Sequence, residues 1–220
     1  LAAVEVLWWD LLGQFLQMPV YQFFGDHGHS AETGITIVVG DVNHARKSAE
    51  RYRALGFSDL KIKLSGDVQQ DLSRMTAIRD VHPECRLLLD ANGGFNLPDA
   101  MCFVDELSAH GFEVDFLEQP FPSGSLEENR QLASLSPIPI LADESCTSVE
   151  SLRTCFNEAA FSGVNLKIQK SGVWESVLIH EAALQSGKNL MIGGMVESPL
   201  SMTLSAHLVR GLGSFDWVDL

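Results

Sequence analysis

Several features that would settle a function at once are missing from this chain of 220 residues. No apolar run approaches the roughly 18 residues of a helical membrane span. The front shows no basic segment followed by an apolar stretch and a small-residue cleavage site. Positive charge is scarce: 15 Lys and Arg stand against 29 Asp and Glu, a formal net charge of −14, with no basic cluster to offset that field. Nucleic acid and membranes are thereby set aside as partners. The four cysteines, Cys85, Cys102, Cys146 and Cys155, form no Cys-x-x-Cys pair and no Cys/His metal spacing. They read as reduced, mostly buried apolar side chains of a cytoplasmic protein. The histidines make neither a His-x-x-x-His nor a His-Glu-x-x-His pattern, and no Gly-x-Gly-x-x-Gly turn or phosphate-binding loop is present. The 8 Pro and 18 Gly gather in no low-complexity tract, which excludes collagen-like and disordered chains.

What is present is a repeating cycle. From Ile35 onward a short apolar or β-branched run is followed by a turn and then by an amphipathic stretch of helical period. The runs predict strands over 35–39, 60–64, 86–89, 114–117, 138–141, 163–168 and 189–192, with an incipient eighth over 215–219. Helices are expected over 43–55, 67–81, 97–110, 125–135, 148–158, 173–186 and 198–209, and a further one over 1–17. Asp67, Asn96 before Leu97-Pro98, and Ser198 before Pro199 supply helix starts, while Gly56, Gly111 and Gly187 supply ends. Strict alternation with strands apolar on both faces predicts a parallel sheet covered by helices, the α/β class. A doubly wound sheet usually carries a Gly-rich turn after its first strand, whereas a (β/α)₈ barrel of the TIM type sets its chemistry on the C-terminal ends of many strands. The chain starts without Met, inside a helix, and reaches only the eighth strand. It is therefore expected to be a piece of a longer protein, with 1–30 a helix and linker and 31–220 a barrel domain incomplete at its last strand.

Several strands end in a charge that their apolar lead-in would not predict. Lys61 and Lys63 close the second, Asp90 the third, Glu118 the fourth, Asp143 the fifth and Lys167 the sixth; intervals of 27, 28, 25 and 24 residues from Lys63 to Lys167 each make one βα unit. Two more units lead to Asp219 on the eighth strand. A lone acid at a strand end is commonly a helix N-cap and a lone lysine commonly reaches for solvent. The regular interval argues against five such coincidences. In an eight-stranded barrel Asp90, Glu118 and Asp143 share one arc of the rim, where three carboxylates repel unless a cation holds them. An all-oxygen set suits a hard ion, and Mg²⁺ is the natural choice. Lys63 and Lys167, on strands four steps apart, would face each other across whatever that ion binds. Strand period puts Lys61 and Lys63 on one face, and two crowded ammonium groups make a lysine a plausible general base. Glu144 and Lys170, close in sequence to Asp143 and Lys167, are expected to point elsewhere. His27 and His29 read as a surface loop, His180 and His207 as ordinary helix residues, and Trp8 and Trp9 as packing.

Lys61-Ile62-Lys63, Asp90-Ala91-Asn92, Glu118-Gln119-Pro120, Ala142-Asp143-Glu144-Ser145 and Asn165-Leu166-Lys167 together resemble the enolase superfamily, specifically its muconate-lactonizing subgroup. The segment Leu7-Trp8-Trp9-Asp10-Leu11-Leu12-Gly13 through Pro19-Val20-Tyr21-Gln22 is similar to that family's helix leading into the barrel. The resemblance implies that Asp90, Glu118 and Asp143 bind Mg²⁺ and that the lysines act on opposite faces of a carbon acid through an enediolate. It also implies an N-terminal capping domain, absent from these residues. Within the subgroup, Ile192-Gly193-Gly194-Met195-Val196-Glu197-Ser198 and Asp216-Trp217-Val218-Asp219-Leu220 are most similar to dipeptide epimerases of the L-Ala-D/L-Glu type. Glu197, Ser198 and Asp219 are then substrate-binding candidates, Asp219 being the first acid of an Asp-x-Asp pair whose second would be position 221. Gly172-Val173 departs from the family's Gly-Gly after the sixth strand.

The resemblance thus implies an isomerase taking a small carboxylate or dipeptide. Two other readings stay open: a cycloisomerase or o-succinylbenzoate synthase-like lyase using the same site, and a catalytically inactive metal-binding barrel fragment. A homo-oligomer is compatible with the sequence.

Overall fold

The computed structural model describes residues 1–26 and 31–220; the reading of His27 and His29 falls outside them. In chain order the elements are α1 (Ala2–Leu16), a 3₁₀ turn (Val20–Phe23), β1 (Ile35–Ile37), α2 (Val42–Ala54), β2 (Asp59–Lys63), α3 (Val68–Val81), β3 (Arg86–Asp90), α4 (Leu97–Ala109), β4 (Phe116–Glu118), α5 (Leu126–Leu135), β5 (Ile140–Ala142), α6 (Val149–Asn157), β6 (Gly163–Leu166), α7 (Ile168–Ser171), α8 (Val173–Gln185), β7 (Asn189–Gly193), α9 (Pro199–Leu212) and β8 (Trp217–Asp219). The alternation read from periodicity is therefore present. The expected caps act as such: the side chains of Asp67, Asn96 and Ser198 accept the main-chain N–H of Gln70 (3.0 Å), Asp99 (3.0 Å) and Ser201 (3.2 Å). Two compact units divide the chain. One comprises Gly34–Ser145 and Thr154–Ser162; the other comprises Leu1–Thr33, Cys146–Arg153 and Gly163–Leu220.

The first unit is built on β1 to β5, paired in parallel. Ile35 lies opposite Leu60, Lys63 opposite Asp90, Asp90 opposite Glu118, and Glu118 opposite Leu141. Leu60, Ile62, Leu87, Leu88, Leu89, Phe116, Leu117, Ile140 and Leu141 are all buried, as strands covered on both faces require. β1 stops at Ile37, two residues earlier than expected, because the Val38 carbonyl turns to accept from Arg74 (3.1 Å) and Asp41 already caps α2. Arg74 and Asp71 form an ion pair at 2.8 Å inside α3, both fully buried. Asp71 accepts from Ser65 N and Oγ and from Gly66 N, and Arg74 donates to the Lys63 carbonyl (2.8 Å). This pair fixes the chain as it leaves β2.

In the other unit β6, β7 and β8 are parallel, with Leu166 opposite Ile192 and Gly193 opposite Asp219. β6 ends at Leu166 rather than 168, since Lys167 already begins the short helix α7, which periodicity did not foresee. Glu5 of α1 reaches across to α8, where Oε2 accepts the first N–H groups of Val173 (2.5 Å) and Trp174 (3.2 Å). Gly172 precedes them at φ 85°, and a Cβ there would meet Glu5 Oε2 at 2.8 Å, so glycine is required. Trp9 packs as expected, edge-on to Phe23 and tilted against Phe24. Trp8 does not: it touches Trp9 but is more than half exposed, because it shares the outer face of α1 with Leu1, Val4, Leu11 and Phe15 at spacings of three and four. Cys85, Cys146 and Cys155 are buried, Cys102 is exposed, and all four are thiols outside any disulfide. Burial pushes the Cys85 thiol up, which keeps it protonated and inert. No described helix is long and apolar enough to cross a membrane.

His180 in α8 and His207 in α9 are both engaged. His180 Nε2 lies 2.9 Å from the Gly213 carbonyl and the ring leans on Phe215. His207 stacks on Tyr21 and accepts the Tyr21 N–H at Nδ1 (3.2 Å), so the bound ring is neutral there. Burial, then the Arg210 charge, lowers the His207 pKa below 6.5. A depressed folded-state value means that its contribution to stability is complete above about pH 6.5 and is lost as pH falls below it. Urea midpoints should therefore drop between pH 7.5 and 5, and His207→Gln should remove part of that slope; equal slopes in both proteins would refute the assignment.

Candidate active site

Parallel pairing brings the C-terminal ends of β2, β3 and β4 level, so Lys63, Asp90 and Glu118 stand in one row. Asp143 follows the end of β5, two residues past Leu141, the register partner of Glu118. Asp90, Glu118 and Asp143 are all buried. The lysines lie among them. Lys61 Nζ is 2.9 Å from Glu118 Oε2 and 3.2 Å from Asp90 Oδ2; Lys63 Nζ is 2.6 Å from Asp90 Oδ2 and donates to Asn92 Oδ1 at 2.8 Å. Burial alone would raise the Asp90 pKa, but Lys61, Lys63 and the Lys63 hydrogen bond outweigh it, and the carboxyl sits below its ordinary range despite the nearby Asp143 charge. The two lysines differ in access: Lys61 is 2% exposed and Lys63 28%. Lys61 is closed in by the two carboxylates, and Lys63 is the more accessible of the two.

A set of buried donors made only of carboxylate oxygen fits a hard divalent cation. Glu144 Oε2, beside Asp143, is a further buried oxygen with no hydrogen-bond partner. Among the described residues no three His, Cys, Asp or Glu side chains are gathered as a ready cation cage. Lys61 itself is the cation that Asp90 and Glu118 share.

Glu144 departs from expectation. It accepts from Asn92 Nδ2 (3.3 Å), and Asn92 in turn accepts from Lys63, so Glu144 is two contacts from the lysine rather than turned away. The cause is Asn92 itself, whose left-handed backbone (φ 45°) turns the loop after β3 so that Asn92 meets both groups. Lys170 is turned aside as expected, donating to the Asn165 carbonyl of β6 (2.7 Å). Lys167, buried, stands just past β6, and Asp219 closes β8, where its carbonyl accepts from Gly194 N (3.1 Å). The side chains of Glu197 and Ser198 are occupied at the start of α9: Glu197 accepts from Met195 N (3.0 Å) and from the Ser201 hydroxyl, and Ser198 is the cap. Spacing alone gave no sign of the part played by Asn92; its presence in the Asp-Ala-Asn triplet was the available signal.

Parallel βα units whose strand ends carry buried carboxylates and lysines define an α/β barrel of the TIM type. Residues 44–220 match the family described as enolase C-terminal domain-like, and the chain belongs to that family. It is 36% identical, over its whole length, to the hydrophobic dipeptide epimerase of Citrifermentans bemidjiense, of which it covers 62%. Among solved structures, the mandelate racemase/muconate lactonizing enzyme from Roseiflexus sp. is 39% identical with a TM-score of 0.93, over 96% of this chain and 61% of that one. The dipeptide epimerase from Enterococcus faecalis, complexed with Mg and the dipeptide L-Leu-L-Tyr, is 30% identical with a TM-score of 0.94, over 100% of this chain and 62% of that one. The chain thus spans about three fifths of these relatives.

Proposed function

We propose that the protein carrying this chain is a Mg²⁺-dependent isomerase that moves a proton at the α-carbon of a carboxylate, epimerising a dipeptide such as L-Ala-D/L-Glu. The observation that carries the reading is the level row of Lys63, Asp90 and Glu118 with Lys61 between the acids, in a chain similar to dipeptide epimerases. Asp90, Glu118 and Asp143 would hold the ion, which when bound supplies a Lewis acid for the negative charge that develops on the substrate carboxylate. Lys63 removes the α-proton from one face, and Lys167 delivers a proton to the other. Lys61 keeps Asp90 and Glu118 from repelling each other. Asp219 takes the substrate ammonium, and Glu197 and Ser198 border the substrate from the loop after β7. In this reading 31–220 are the catalytic region, 1–30 lead into it, and the protein works in the cytoplasm.

The test is incubation of the full gene product with Mg²⁺ in D₂O and a panel containing L-Ala-D-Glu, L-Ala-L-Glu and L-Leu-L-Tyr. Deuterium at the C-terminal α-carbon with appearance of the epimer, both lost on chelation, is the expected outcome. No exchange with any dipeptide, together with turnover of muconate or an o-succinylbenzoate precursor, would replace it with the cycloisomerase or lyase reading.

A further inference from the structure

Gln119 is engaged with all three loops that follow the carboxylate-bearing strands. It directly follows Glu118, is 1% exposed, and has a left-handed backbone at φ 40°, which is uncommon for a residue with a Cβ. Both hydrogens of its amide are used: Nε2 donates to the Phe121 carbonyl (2.7 Å) and to Ser145 Oγ (2.8 Å). Both acceptor positions are used as well, since Oε1 accepts from Asp143 N (2.9 Å) and Ser145 N (3.1 Å). Its main chain is similarly committed, the N–H donating to Leu141 O (2.8 Å) and the carbonyl accepting from Gly93 N (2.7 Å). One residue thus ties the turn after β3, the exit of β4 and the exit of β5, which carry Asp90, Glu118 and Asp143.

We propose that Gln119 is a positioning residue that sets where the Glu118 and Asp143 carboxylates stand, acting through their main chain and never touching substrate. The inference rests on the reading that these carboxylates hold a cation. A buried amide with its full set of four partners is rigid, because any rotation leaves a buried donor or acceptor unmet. Two of those partners are the N–H of Asp143 and that of the residue two further on, so the amide fixes the Cα from which the Asp143 side chain projects. The strained backbone has a matching use. A left-handed residue after Glu118 turns the chain sharply, sends the side chain towards β5 and leaves the carboxylate behind it; strain of this kind persists where the surroundings over-determine it. No other amino acid offers two donors and two acceptors at this reach: asparagine is one methylene short and glutamate lacks the donors. Groups placed behind metal ligands in this way typically change affinity by about 10- to 100-fold when removed.

The experiment measures binding of Mn²⁺ alone, by electron paramagnetic resonance titration well below the unfolding temperature, to the wild type, Gln119→Met and Ser145→Ala, alongside amide exchange at Asp143 and Ser145. Gln119→Met is expected to weaken Mn²⁺ binding roughly 10-fold or more and to speed exchange at those two amides relative to Leu89. Ser145→Ala, which removes one partner of the amide, should show a smaller change of the same kind. A merely structural residue would lower the melting temperature and leave the affinity of the folded protein unchanged, so wild-type affinity in Gln119→Met overturns the proposal. Should that variant not fold, unchanged affinity and exchange in Ser145→Ala overturn it instead. If the wild type takes up no Mn²⁺, the cation reading fails on its own; unaltered exchange at Asp143 would then overturn the clamp as well, and accelerated exchange would retain it as the device that orders these two loops.

Discussion

Alanine at Lys167 is expected to abolish epimerisation while leaving exchange of the α-proton with solvent in one substrate configuration, and alanine at Lys63 is expected to do the same for the opposite configuration. The expectation follows from stereochemistry. Inversion needs a proton taken from one face and another given to the reverse face, and a single ammonium or amine can serve only the face it borders. With one lysine gone, the other still removes and returns a proton on its own side, so deuterium enters without inversion. Loss of a positioned acid or base costs about 10²- to 10⁴-fold. Lys63 is the member of its pair suited to this, partly exposed with its ammonium between Asp90 and Asn92, whereas Lys61 is closed in by Asp90 and Glu118. Proton NMR in D₂O on each configured dipeptide reads both quantities at once. Epimerisation by both variants at the wild-type rate would exclude the two-lysine chemistry.

Asp71→Ala should be among the most destabilising single changes in the chain. The buried pair of Asp71 and Arg74 lies inside α3, and removing the acid leaves a guanidinium in a dry place whose Nε already lacks a hydrogen-bond partner. Breaking one side of such a pair costs about 3–5 kcal/mol, a large part of the roughly 5–15 kcal/mol that holds a domain together. It also releases Ser65 N and Gly66 N, the chain just past Lys63. Replacing both members, as Asp71→Leu with Arg74→Met, should recover part of the loss, because no charge is then stranded. Urea unfolding with slopes compared between variants measures both effects. A midpoint for Asp71→Ala within error of wild type would show that the pair contributes nothing net.

The acids and lysines at strand ends were legible because a charge at the close of an apolar run is out of place, and because βα units of near-constant length return each strand end to one level. Asp90 and Glu118 are register partners for that reason. The same logic could not reach Asn92, Gln119 or the true direction of Glu144, which depend on two non-glycine residues in left-handed backbone that no spacing announces. Asp71 and Arg74 were equally hidden, since a charged pair at helical spacing usually faces water. Glu197 and Ser198 show the opposite case. The helix-start signal at Ser198-Pro199 was visible, and the structure uses both side chains there.

Glu5 has a consequence beyond fastening a helix. Its carboxylate is spent on the opening amides of α8, which start six positions after Lys167 with only α7 and Gly172 in between. The first turn of α1 is therefore a stay for the short span that carries a proposed proton donor. Removing the Glu5 carboxylate, or exchanging Gly172 for anything bulkier, would slacken that span from a distance.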